Sequence, residues 1–189
     1  MISGMPSPLV SLAAMGPNQT GLEYLGGGKL NSAAASYTTP TFPARDVLMI
    51  FGNWSSLSTA AIPGVRFNAV STASYWHRQF SAGDLAGQLT FANRQTPTAG
   101  ANIIELWFEA VTRPGSFLMV ASNRLATSKG VFFSPSISTG SAAAVPSVVI
   151  GSGEFVNTTA QITSMTITSA VATTFAAGTG LQVFGRNFP

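Results

Sequence analysis

Residues 74–80 read "SYWHRQF". In an extended chain side chains point alternately to opposite sides, so Tyr75, His77 and Gln79 share one face while Trp76, Arg78 and Phe80 share the other. Similar short runs flank it: "VLMIFGNW" (47–54), "GVRFNAV" (64–70), "QLTFANR" (88–94), "NIIELWFEAV" (102–111), "SFLMVAS" (116–122), "GVFFSPS" (130–136), "SVVIGSG" (147–153), "TSMTIT" (163–168) and "LQVFGR" (181–186). They are rich in Val, Ile, Phe and Thr, and turn residues such as Ile62-Pro63-Gly64 and Arg113-Pro114-Gly115 punctuate them. No stretch keeps a 3.6-residue period over ten residues, although "AGANIIELWFEAV" (99–111) would make a helical turn or two. Ten short strands predict an all-β, antiparallel sandwich over residues 47–189, with loops at 139–147 and 169–180.

Residues 1–46 have another texture. Gly, Ser, Ala and Pro dominate, with "LGGGKLNSAAASYTTPTFPA" at their heart, and the apolar residues come in twos without a period. Such a segment cannot close a core of its own. It is expected to be an extended N-terminal arm, ordered where it lies on a neighbour.

Composition narrows the function. Charged residues make up 8% of the 189, against roughly 25% in ordinary soluble domains, so Ser, Thr, Asn, Gln and Gly must cover much of the surface. A surface with so little charge is poorly protected against self-association, and contacts with other copies are expected, with a trimer as the anticipated state. The nine Lys and Arg residues outnumber six acidic ones but stand singly, whereas a nucleic-acid surface clusters its cations. Without Cys there are no disulfides, thiolate metal ligands or Cys nucleophiles. The opening "MISGMPSPLVSLAAMG" lacks a basic start, and no apolar run approaches the length of a membrane span. No nucleic acid, membrane insertion or cofactor is expected.

The last 26 residues before Phe188 carry a more specific pattern. Ile162, Thr163, Ser164 and Thr166 open a strand, Phe175-Ala176-Ala177-Gly178-Thr179 form a loop, and Leu181, Val183, Phe184 and Gly185 close the chain. This resembles the C-terminal signature of a jelly-roll domain common in tailed-phage virion proteins, especially tail-fibre and other appendage proteins. "GVRFNAVSTASYW" is similar to a second stretch of that family, through Arg66, Phe67, Asn68 and Tyr75. The chain departs from the pattern at Phe184, where Tyr is usual. The resemblance implies a jelly-roll sandwich and a place in the virion, but no particular ligand. The residues have their own physics. Phe175, the only large residue of its loop, is expected to plug one end of the sandwich. Gly178 suits a turn, Gly185 a close approach or a bulge, and Thr173 and Thr179 read as surface positions.

Catalysis finds little footing. His77 is the only His, there is no "GxSxG", and one His without Cys makes a zinc site implausible. A lone His beside Arg78 reads as a surface or interface hydrogen-bonder. Glu105 and Glu109 would lie roughly 13 Å apart on a strand, too far for a glycosidase pair. The glycine-rich "GGGKL" and "GSGEF" lack the strand-loop-helix setting of phosphate loops.

The aromatics remain. Trp107 sits in a dense apolar run and reads as core. Trp54, at a strand end, suits a loop tip, and Tyr75, Trp76, His77 and Arg78 form the best local candidate for a ligand or subunit contact. The expected function is therefore a non-enzymatic structural protein of a bacteriophage virion, either a capsid decoration (cement) protein or a tail-attached one, with other copies and virion proteins as partners. The alternative is a receptor-binding module that recognises host-surface glycan.

Overall fold

The computed structural model describes residues 21–72, 74–85, 88–95, 102–107, 110–138 and 148–188; for 80–85, 88–95 and 148 it describes the backbone alone. Among these residues there are twelve strands and no helix: β1 (Glu23–Lys29), β2 (Tyr37–Thr38), β3 (Val47–Trp54), β4 (Pro63–Phe67), β5 (Tyr75–Leu85), β6 (Gln88–Gln95), β7 (Ile104–Glu105), β8 (Gly115–Ser122), β9 (Lys129–Ile137), β10 (Val148–Phe155), β11 (Met165–Ser169) and β12 (Gly180–Arg186). All pair antiparallel, in an eight-stranded sheet ordered β1-β12-β3-β8-β9-β10-β5-β6 and a four-stranded sheet ordered β2-β11-β4-β7. The chain is an antiparallel β-sandwich.

Side-chain alternation builds it. In β3, Leu48, Ile50 and Trp54 are buried while Phe51 and Asn53 face out, and β9 buries Val131 and Phe133 while exposing Phe132. β11 is buried on both sides: Met165 and Ile167 join the core, and Thr166 shares a hydroxyl hydrogen bond of 2.9 Å with Thr38. The two sheets meet through Phe67 of β4 and Phe155 of β10, whose ring centroids lie 5.6 Å apart. Strand pairing is nested: β1 with β12, β2 with β11, β3 with β8, β4 with β7. The β5–β6 hairpin and strands β9 and β10 widen the large sheet beyond β8.

Every run quoted above contains a strand, but two local expectations change. Ile62-Pro63-Gly64 is not a turn, because Pro63 and Gly64 already belong to β4. "NIIELWFEAV" is a strand only at Ile104–Glu105. Phe108 and Glu109 lie outside the described residues, as do 139–147.

The arm needs a larger correction. Residues 21–46 are part of the sandwich: β1 forms one edge of the large sheet and β2 one edge of the small sheet. Phe42 is buried, and the buried Thr39 hydroxyl accepts the Met165 N–H at 3.0 Å. The reason lies in the backbone. An edge strand is held by main-chain hydrogen bonds to its neighbour and needs no alternating side chains. At Gly27, with φ +154°, an added Cβ would lie 2.2 Å from the Leu181 carbonyl, so the strand docks closely because glycine is there. Residues 1–20 of the expected arm lie outside the described residues.

The signature residues have clear structural work. Phe175 is fully buried at one end of the sandwich and exchanges backbone hydrogen bonds with Ala34 (2.8 and 3.0 Å). Gly178 has φ +91°, its N–H reaches the Leu30 carbonyl at 2.8 Å, and its own carbonyl accepts Asn53 Nδ2 at 2.8 Å. Thr179 is not a surface residue: it is buried, accepting the Ser55 N–H at 2.9 Å and donating to Ala176 O at 3.0 Å. A Cβ at Gly185 would stand 2.7 Å from Leu25 Cδ1, so the close approach there is made by side chains.

The two stretches that carry the resemblance meet in space. Asn68, at φ +52°, accepts the N–H groups of Thr163 (2.8 Å) and Ser164 (3.2 Å) and donates to Gln161 O at 2.8 Å. Asn tolerates that backbone region better than most residues. It thereby fixes the turn that leads into β11.

Candidate functional site

The predicted contact cluster divides. Tyr75 and His77 point between the sheets, while Trp76 and Arg78 point outward, as strand alternation requires. Tyr75 is fully buried, stacked on Phe155 with ring centroids 5.0 Å apart; its hydroxyl receives the Phe67 N–H at 2.9 Å and lies 3.0 Å from Val70 O. His77 is buried as well, so the surface reading is corrected. Its Nε2 lies 3.3 Å from Glu105 Oε2, which joins β5 of the large sheet to β7 of the small one. Gln79, next on the same face, donates to the Glu105 carbonyl. Trp54 is no loop tip. It stacks near Phe117 in the core and donates Nε1–H to Arg113 O at 3.0 Å. Trp107 is buried, as its apolar run implies.

A chemical centre would need the His77–Glu105 pair to meet a substrate, but the His77 side chain has no exposed area and Glu105 very little. Among the described residues no group of three or more His, Asp or Glu side chains gathers to hold a metal.

What the fold leaves exposed is the outer face of the large sheet. Phe132 is 50% exposed, Ile150 48%, Phe51 45%, Trp76 40% and Leu118 36%. Cross-strand register makes them neighbours: Phe51 lies opposite Leu118, Val120 opposite Phe132, and Phe132 opposite Ser152, which faces Arg78. Glu154 stands opposite Trp76. The result is an apolar band across β3, β8, β9 and β10, bounded by Arg78 of β5 and Glu154 of β10. The chain matches no family model, no curated protein and no solved structure.

Phe132, Ile150, Phe51 and Leu118 were not singled out in the sequence, although the signal was present. Each is one of two adjacent large apolar residues in a strand: Phe132-Phe133, Val149-Ile150, Ile50-Phe51 and Phe117-Leu118. Neighbours on a strand face opposite ways, so one of each pair must leave the core. Isolated cases are ordinary on protein surfaces. Several on one sheet face, with few charges between them, form a patch of the kind that marks an interaction surface.

Proposed function

We propose that the protein is a non-enzymatic structural protein of a tailed-phage virion, a decoration or tail-attached component that works through assembly contacts. The observation that carries this reading is the apolar band on the outer face of the eight-stranded sheet. An interface typically combines an apolar centre with a polar rim, and here Phe132, Leu118 and Ile150 supply the centre while Arg78, Ser152 and Glu154 supply the rim. A second copy is the occupant in this account, with trimeric association expected and further virion proteins as partners. The near absence of charge on the band favours it, because no charge there has to be stripped of water when a neighbouring copy covers it. Enclosure of His77 and Glu105 between the sheets supports the non-enzymatic part.

The virion setting rests on the two sequence stretches that resemble the phage jelly-roll family. Jelly-roll wiring is part of the proposal. Its support is the nested pairing, with β1-β12-β3-β8 laid over β2-β11-β4-β7 and the chain crossing between sheets at every step of that set except β4 to β7.

Sedimentation velocity tests the surface. The wild-type chain should sediment as an oligomer, and the double variant Phe132→Ser/Ile150→Ser should sediment as a folded monomer with an unchanged circular dichroism spectrum. A wild-type monomer at high concentration would overturn the self-association, and so would a double variant that associates as well as the parent.

A further inference from the structure

The same outer face changes character at its β1 end. A cleft of about 510 Å³ opens there, within the range of small-ligand sites, between β1, β12, the far end of β3 and the loop at Gly178. Two exposed aromatic rings line it. Tyr24 is 57% exposed, and both Tyr24 and Phe51 pack edge-on against Phe184, with centroids at 5.4 and 5.8 Å, which holds their orientation. Its polar groups are amides. Asn53 donates to Gly178 O at 2.8 Å, which fixes the side chain while its Oδ1 takes no donor among the described residues. Gln182 is exposed in the cleft and makes no side-chain hydrogen bond among the described residues. Lys29 lies at the margin and pairs with no carboxylate among them.

We propose that this cleft binds a saccharide, with a pyranose ring seated against Tyr24 or Phe51 and its hydroxyls engaged by Asn53 and Gln182. The chemistry of the lining selects that class. A pyranose carries an apolar patch of C–H bonds on one face and hydroxyls around its edge. An aromatic ring held from behind covers the first, and an amide, offering both donor and acceptor, serves the second. A purely apolar ligand would leave the amides without partners, which costs affinity. A nucleotide or phosphate would call for more cationic charge than one Lys. Lys29 adds a preference for a sugar bearing a carboxylate.

This site differs from the Trp54, Tyr75 and His77 positions expected from sequence, all of which are buried. It shares Phe51 with the β3 edge of the apolar band, but Tyr24, Asn53 and Gln182 lie outside that band, so Gln182→Ala tests it apart from the assembly reading.

Saturation-transfer NMR on the intact chain tests it, with galactose, N-acetylglucosamine, glucuronate and N-acetylneuraminate as probes and with oligosaccharides built from them. Transfer to at least one sugar is expected, weakened about tenfold or more by Gln182→Ala and by Phe51→Ala. Arg124→Ala, at the opposite end of the sandwich, should leave it unchanged. A stronger signal from the two acidic sugars that is lost in Lys29→Gln supports the cationic margin; equal signals from neutral sugars support the cleft without it. If Phe51→Ala does not fold, the exposed Gln182→Ala still decides the matter. No transfer to any probe, or transfer indifferent to Gln182→Ala, overturns the proposal. Sedimentation of the same samples separates that outcome from a failure of the assembly reading.

Discussion

Phe175→Ala should lower the stability of the sandwich by about 3–5 kcal/mol, the range for truncating a fully enclosed aromatic side chain. The ring has no exposed area, and its backbone is fixed on one side by Ala34, while the next N–H, that of Ala176, bonds to Ser56 O at 2.9 Å. Those bonds prevent the loop from collapsing into the space the ring vacates, which places the expected loss toward the upper part of the range. Urea unfolding of the two proteins measures it. A shift of the midpoint at constant slope is the expected form, since the surface exposed on unfolding hardly changes. An unchanged midpoint would mean that Phe175 does not plug the sandwich.

Tyr75 should make the fold sensitive to alkali. Burial pushes its phenol up to about 12 from an ordinary value of 10.0, outweighing the Phe67 backbone hydrogen bond and the charge of Arg66, which act the other way. Between those two values the unfolded chain has released the proton and the folded chain still holds it. The folded state then binds more protons, and stability falls as pH rises through that interval. Two pKa units correspond to about 3 kcal/mol once both states are ionised. Other groups titrate nearby: burial raises Tyr37, with the same sign, and lowers Lys129, whose ammonium sits between the Thr127 and Asn157 carbonyls. For Lys129 the unfolded state holds the proton longer, so its contribution rises with pH below about 10.5. Comparison with Tyr75→Phe removes both terms. At neutral pH the variant should lose about 1–3 kcal/mol, because the buried Phe67 N–H loses its acceptor. Above pH 10 the gap between the two proteins should close, and denaturation curves across that range give it directly. A gap that does not vary with pH would contradict the account of Tyr75.

The parts of the fold legible in sequence were those in which burial forces alternation. β3, β8 and β9 announce themselves because half their residues must be apolar. β1 did not, since "EYLGGGK" holds its place through main-chain hydrogen bonds to β12, which leave no period behind. Thr179 was misread for a related reason: its burial follows from hydrogen bonds to Ser55 and Ala176 that only the folded loop brings together.

For the candidate site, alternation sorted Tyr75 and His77 from Trp76 and Arg78 correctly but could not say which set faced the core. Position within β3 would have assigned Trp54, which falls in step with Leu48 and Ile50 and is buried with them. The apolar band was legible one strand at a time. Its continuity depends on cross-strand register, and the order β3-β8-β9-β10 joins residues nearly a hundred positions apart.

If the chain is a virion component, as proposed, the most direct test is a cryo-electron microscopy map of the particle that carries it. The account predicts several copies on the particle, each with Leu118, Phe132 and Ile150 of the large sheet covered by a neighbouring copy. Finding the chain in no particle, or a map in which that face of the sheet stands open to solvent, would contradict it.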